Sequence, residues 1–595
     1  MVSLMVGFYS EAFCLVASAF CFLGALGLLG DFFVLGFEVF RHSSLDLSVE
    51  IFVDGVGLLF SSVVFFIASN IFKFSGHYMA SAFHPSRFHA LLMCFVFSMV
   101  IFIFSPGLFS LMIGWDGLGV FSFLLVLFYP CHSSLGSGMI TGLSNRLGDC
   151  FLVLALLLWG LGFGSGGYGA QEFGIVVSVF LVVGASTKSA QFPFCSWLPR
   201  AMAAPTPVSS LVHSSTLVTA GVFLVVRYCG GLEDGALVLL QWCSLITMVL
   251  SGLNACVECD AKKVVALSTL SQVSFMMFSV SVGYPLLAFF HLLTHAVTKA
   301  LLFVCVGLVI MGYSQDLRRL GGCFSEEGGL KWYFLGSCVG LCGIPFLSGF
   351  YSKEVIIESM LHSPLGWLGV AFFLVGVFST GYYSARLGYF CFFSGLRSDK
   401  VGGVSSYRYS GGLSLPSAHY FCFNLFCFVV FLGGVGGWFF NSGVPCYPCW
   451  ESKVILLSCP WFVMWWFWAS EVLTGLYFNE SWEEKNFSVR YKNDYFKRPI
   501  LEESLDWWGS FRGSFIRELG FLDGLSGQPF VYAGFMLSEE VSSGLDQGWF
   551  EFFGPGGLSR CFKKALDCNM FMCSHWFACF FVVYILEVCL WVGLS

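Results

Sequence analysis

Charge is what this chain of 595 residues most lacks. Only 11% of it is Asp, Glu, Lys or Arg, against roughly 25% in a soluble domain. That shortfall excludes a surface wetted on all sides. No basic patch suggests nucleic acid, and a net charge of −7 says little when so few charges make it up. The short alternating segments of a transmembrane β-barrel are absent. The first apolar stretch, Leu4–Gly30, has no basic n-region and contains Glu11, so it reads as a retained span rather than a cleaved signal. Two CxxC spacings occur, Cys256/Cys259 and Cys446/Cys449, but no His/Cys set with ligand spacing supports a metal reading. Many of the 25 cysteines lie in apolar runs, where they act as small hydrophobes.

What is present is hydrocarbon. The chain is 57% hydrophobic with a mean hydropathy of +0.81. Stretches of about 20 apolar residues, enough for one crossing, recur almost to Ser595, and they make roughly fifteen spans. The fold class is an all-α polytopic membrane protein. Residues 1–110 hold the first spans. Residues 111–311 are dense in intramembrane polar groups, and 312–478 open on a polar connection and return to apolar spans. Residues 479–568 form the longest polar stretch, read either as an amphipathic helix lying along the membrane or as an extramembrane loop. Residues 569–595 close with a terminal span. Pro193 and Gly433–Gly437 mark two interrupted helices, of the kind that line transport sites and suggest an internal inverted repeat. Abundant Phe (71) and Gly (68), with Cys, Trp and Val, fit a T- and G-rich organellar genome.

Against that apolar background a few ionisable residues stand out, because charge at membrane depth costs several kcal/mol unless paired or hydrated. Lys188 follows the apolar run Phe173–Ser186. Asp116 lies in Gly114-Trp-Asp-Gly-Leu-Gly, and Asp149 ends Asn145-Arg-Leu-Gly-Asp as either a relay acid or the partner of Arg146. His291, His295 and Lys299 recur at i, i+4 and i+8, one face of a helix. An acid and a buried lysine with two arrangements make a protonation switch. The expectation is that Asp116 approaches Lys188, directly or through water.

The segment Lys188-Ser-Ala-Gln-Phe-Pro, continuing through Pro205-Thr-Pro-Val-Ser-Ser-Leu-Val-His, resembles the signature of the antiporter-like subunits of respiratory complex I. Asp260-Ala-Lys-Lys, His291-Leu-Leu-Thr-His-Ala-Val-Thr-Lys and Gly349-Phe-Tyr-Ser-Lys-Glu extend the match over roughly residues 50–400. The resemblance implies a proton-translocating subunit of NADH:ubiquinone oxidoreductase in the mitochondrial inner membrane, driven by redox chemistry elsewhere. It implies no cofactor in this chain. The implied partners are a neighbouring antiporter-like subunit, other membrane-arm and accessory subunits, and lipid. It also assigns His213 to proton transfer, where the bland alternative is a satisfied structural histidine. Of the adjacent lysines it favours Lys263 as the relay residue and leaves Lys262 interfacial. The family's Asp116 position is usually Glu, so the reach to Lys188 is shorter here. The lysine expected at the start of the span His419–Phe440 is missing, and His419 is the nearest replacement. Lys353, Glu354 and Glu358 read as structural or partner-facing with proton exit as the alternative, Arg386 carries the same two readings, and Asp54 and Asp316 read as interfacial anchors. A stand-alone cation/proton antiporter and a structural stator with a silent channel are the competing functions.

Overall fold

Among the described residues, ten helices are long and apolar enough to cross a bilayer. The computed structural model describes residues 2–393 apart from 29–30, 43–44, 81, 163–173, 313–314, 318–319, 321–327, 345–346 and 362–365, together with 422–430, 536 and 559. His419, the Gly433–Gly437 break, Cys446/Cys449, the polar stretch 479–568 and the terminal span all lie outside the described residues.

The chain opens with α1 (Val2–Gly27) and then forms an antiparallel hairpin, β1 (Phe32–His42) with β2 (Leu45–Asp54). The hairpin is a local addition to the expected all-α membrane fold, and sequence reading did not foresee it. Leu45-Asp-Leu-Ser-Val-Glu-Ile alternates apolar and polar residues, the period of a strand. Asp54 ends β2 and caps α2 (Gly55–Tyr78), its carboxylate accepting from the Gly57 amide at 3.0 Å. The same carboxylate receives both terminal nitrogens of Arg227, at 2.6 and 2.8 Å. A residue read as an interfacial anchor therefore ties the hairpin to a helix 173 positions away.

Next come α3 (Pro85–Phe104), α4 (Leu108–Val126) and α5 (His132–Gly162). α6 (Ile175–Lys188) has only 14 residues, about 21 Å of rise where some 30 Å is needed. It stops at Lys188, after which Ala190 takes a positive φ of 54° two positions before Pro193's cis peptide. The expected first interruption is therefore present. Short α7 (Trp197–Ala201) and α8 (Thr206–Val208) follow, and then a π-helical stretch, Ser209–Thr216, that runs into α9 (Leu217–Tyr228). α10 (Asp234–Val257), α11 (Ala261–Ser281) and α12 (Pro285–Gly312) complete the centre. The windows spanning 206–231, α11 and α12 are 100%, 94% and 89% buried, against 28% for α1. These three form the inside of the bundle, where polar side chains must find partners in protein.

Over the described residues α13 (Gly328–Cys342) and α14 (Ser348–Leu361) are again shorter than a full crossing, and α15 (Trp367–Gly388) follows. Between α13 and α14, Gly343 has a φ of +83° and Pro345 follows two positions later. An interruption of apolar helix thus falls here as well, at a place sequence reading did not single out.

Candidate functional site

Buried polar residues fall into two groups. The first surrounds the end of α6. Lys188 is fully buried because α6 stops there and the chain turns inward. Its ammonium donates to the Trp115 carbonyl at 2.5 Å and lies 3.8 Å from the centre of the Trp115 ring. A cation over an indole face is held by the ring quadrupole without a carboxylate. The other end of Trp115 serves an acid, since its Nε1–H donates to Asp149 Oδ1 at 2.8 Å.

Asp116 does not take the place expected of it. Its partner is Arg146, at 3.4 Å, and its side chain is 48% exposed in the isolated chain. The same Arg146 nitrogen also donates to Asp149 Oδ2 at 3.0 Å. On α4 the side chain following Trp115 points to a different face, so the helix that presents Trp115 to Lys188 turns Asp116 towards α5. Asp149, read two ways from sequence, is both buried and paired with Arg146.

His213 sits on the π-helical stretch and is buried, with neither ring nitrogen hydrogen-bonded among the described residues. Its ring lies 6.2 Å from that of Trp197, whose Nε1–H donates to the Thr187 carbonyl beside Lys188 at 2.9 Å.

α11 begins at Asp260, where the chain is held by an isolated bridge to Asp316. The two lysines that follow reverse the expectation. Lys262 is buried and reaches the Ala204 carbonyl at 3.4 Å. Lys263 pairs with Asp260 at 3.3 Å, and its side chain is 44% exposed. Adjacent helical positions point about 100° apart, and α11 turns the first of them inward. A cleft of about 470 Å³ opens beside them, with His132, Arg200 and Glu258 on its wall.

The second group lies between α11, α12 and α14. The three α12 residues spaced by four, His291, His295 and Lys299, are all buried. They face a polar stripe on α11 that sequence reading missed. Lys299 donates to Ser268 Oγ at 2.5 Å, and His291 Nε2 lies 3.2 Å from Gln272 Oε1. Ser268 and Gln272 are themselves one turn apart, a spacing that could have revealed them. The His291 and His295 rings are 6.2 Å apart, and neither His295 nitrogen has a hydrogen bond among the described residues.

α14 completes the group. Lys353 is buried and donates to Thr380 Oγ1 at 2.7 Å. A cavity of about 10 Å³ is lined by His291, His295, Thr298, Gln272 and Lys353, room for a single water. Lys353, read as structural or partner-facing with proton exit as the alternative, is the cation beside the two histidines. Arg386 belongs elsewhere, since it donates to the Glu258 carbonyl at 2.6 Å and caps α10. Among the described residues no His/Cys/Asp/Glu group has the arrangement of a metal site.

Comparisons with known proteins bear on the family and the fold. The family described as NADH:quinone oxidoreductase/Mrp antiporter, TM matches residues 105–380, and that described as NADH dehydrogenase subunit 5 C-terminus matches 509–594. NADH-ubiquinone oxidoreductase chain 5 of Mytilus edulis is 35% identical over 94% of this chain and 94% of its own. The Aedes aegypti protein of that name is 39% identical over 72% of this chain and 74% of its own. The Lumbricus terrestris one is 45% identical over 59% of this chain, a match spanning 62% of the relative's length. A chain of the Mrp complex of Dietzia sp. superposes with a TM-score of 0.66 at 21% identity, covering 91% of this chain and 62% of that one. A chain of an archaeal membrane-bound sulfane sulfur reductase superposes at 0.59 and 18% identity, covering 74% and 94%. Both likenesses concern the fold alone.

Proposed function

This chain belongs to the NADH-ubiquinone oxidoreductase chain 5 family, and from that membership we propose that it moves protons as a membrane-arm subunit of respiratory complex I. The energy comes from NADH:ubiquinone electron transfer elsewhere in the complex, and the location is the mitochondrial inner membrane. The observation that carries the reading is the buried cluster of Lys299, His295, His291 and Lys353, three of them around one water-sized cavity. Such a set is costly in hydrocarbon and has a use when protons pass along it.

In this reading the open cleft supplies water to Lys262. Lys188 holds a proton on the Trp115 carbonyl and ring. Arg146, within reach of both Asp116 and Asp149, is the element with two arrangements: drawn to Asp116 it frees Asp149, and the field at Lys188 changes with it. His213 links the α6 break to the α12 group. His291 and His295 pass the proton through the small cavity to Lys353, with Lys299 biasing them. Lys263 and His419 are assigned access roles at the two ends, Lys263 at the rim of the cleft and His419 beyond Lys353.

The match of residues 509–594 to the subunit 5 C-terminus favours complex I over a stand-alone antiporter. Residues 479–568 are then the lateral segment and 569–595 its anchor, clamping the neighbouring antiporter-like subunit, accessory subunits and lipid. The test is proton uptake per NADH oxidised, measured on reconstituted complex carrying Lys353→Met or Lys299→Met. The ratio is expected to fall with normal assembly. An unchanged ratio in both variants leaves the stator reading instead.

A further inference from the structure

Three polar residues outside the relay determine what His291 can do. Tyr383 on α15 is fully buried. Its hydroxyl oxygen accepts from Gln272 Nε2 at 3.3 Å and lies 3.1 Å from Ser271 Oγ. The Ser271 hydroxyl hydrogen is directed to the Ser268 carbonyl at 3.0 Å, so between Tyr383 and Ser271 the tyrosine is the donor. The hydrogens therefore run one way, from Gln272 to Tyr383 to Ser271 to the α11 backbone. An amide has one donating end and one accepting end. With the Gln272 NH2 committed to Tyr383, only Oε1 is left to face His291 Nε2, at 3.2 Å. Two acceptors make no hydrogen bond, so that nitrogen must carry the hydrogen.

We propose that Gln272, held by Tyr383, is a positioning residue that fixes the tautomer of His291 as Nε2–H and leaves Nδ1 as its proton acceptor. The proposal rests on the relay reading above and adds a direction to it. Nδ1 faces Ser352 Oγ at 2.9 Å, on the helix that carries Lys353. Ser352 also meets Thr294 Oγ1 at 3.1 Å, so its hydroxyl has an oxygen partner to turn to when Nδ1 takes a proton. The accepting side of His291 thus looks towards α14 and the closed side towards α11. Without the tyrosine oxygen, the amide rotates freely, its NH2 can face Nε2, and the hydrogen is forced onto Nδ1.

The test uses the whole complex in liposomes and reads protons taken up per NADH oxidised. Tyr383→Phe is expected to lower the ratio towards that of His291→Ala. Adding Gln272→Glu to Tyr383→Phe is expected to restore it, because both carboxylate oxygens accept and rotation no longer matters. A packing role for Tyr383 predicts no such rescue. Tyr383→Phe at the wild-type ratio overturns the proposal, as does a double variant that stays low while Gln272→Glu alone pumps. If Gln272→Glu alone is inactive, Gln272→Met decides. Combined with Tyr383→Phe, it should lose no more than the worse single variant, and additive losses overturn the idea. If His291→Ala pumps normally, the relay reading itself falls, whatever the other variants do.

Discussion

At Trp115 three interactions converge on one residue: its carbonyl and ring face hold Lys188, and its indole N–H holds Asp149. Trp115→Phe keeps a ring but removes the donor, leaving a buried carboxylate oxygen short of one bond. We expect about 1–3 kcal/mol of lost stability, read as a lower melting temperature of the complex's membrane arm, with Lys188 still seated. Trp115→Leu removes the ring as well and should also depress proton uptake per NADH. Equal uptake in the two variants would show that the ring face plays no part in holding Lys188. Sequence reading picked out Lys188, Asp149 and the His291/His295/Lys299 face because an ionisable group in an apolar run is conspicuous by itself, and His213 because its motif resembles the family's. It passed over Trp115, Gln272 and Tyr383. Aromatics and amides are common in such runs, and their polar ends matter only once the partner helix is known. Lys262 and Lys263 failed for a related reason: two adjacent lysines carry no mark of which one the helix turns inward.

The two short-helix breaks share a construction that only the backbone reveals. In each, a positive-φ residue (Ala190 or Gly343) precedes a proline by two or three positions, and a buried lysine lies close by in sequence. The glycine run at 433–437 was more conspicuous but falls outside the described residues, while the single Gly343 passed unnoticed. The close approach within the second break is a testable packing constraint. A methyl built on Gly349 meets the Gly340 carbonyl of α13, a backbone atom that cannot swing aside. Gly349→Ala should therefore force α14 outward and cost about 1–3 kcal/mol. It should also displace Lys353 from the cavity, so proton uptake should fall together with thermal stability. Normal pumping by a Gly349→Ala complex would overturn the constraint placed on the α13–α14 approach. The hairpin was likewise legible in the strict alternation of Leu45–Ile51, but a search for crossing-length apolar runs passes over strands.

At the scale of the whole chain, composition settled the class, because 11% charge allows no other solvent than lipid for most of the surface. The count of spans is harder, since adjoining apolar runs merge and broken helices contribute two short pieces each. Long-range ties were not readable at all. Asp54 and Arg227 are 173 positions apart, and nothing local distinguishes a carboxylate that caps a helix and also binds a guanidinium from one that merely meets headgroups. Both side chains are mostly buried, at 14% and 19% exposure. Asp54→Ala removes the cap and leaves Arg227 without its acid, and it should cost about 3 kcal/mol or more. Asp54→Glu cannot reach both partners and should fall between. On the proposed reading, the part of the chain from residue 479 onward serves assembly instead. Spans in lipid gain their stability from close packing of neighbouring helices rather than from a hydrophobic drive, so residues 1–393 should hold their arrangement without the polar stretch. A chain ended near Asn479 is therefore expected to insert and to resist protease much as the full chain does, yet to be recovered in the assembled complex in strongly reduced amount. Native gels of membranes carrying the truncated chain make the comparison. Recovery at the full-length level would remove the clamp from residues 479–568 and leave them with no proposed role.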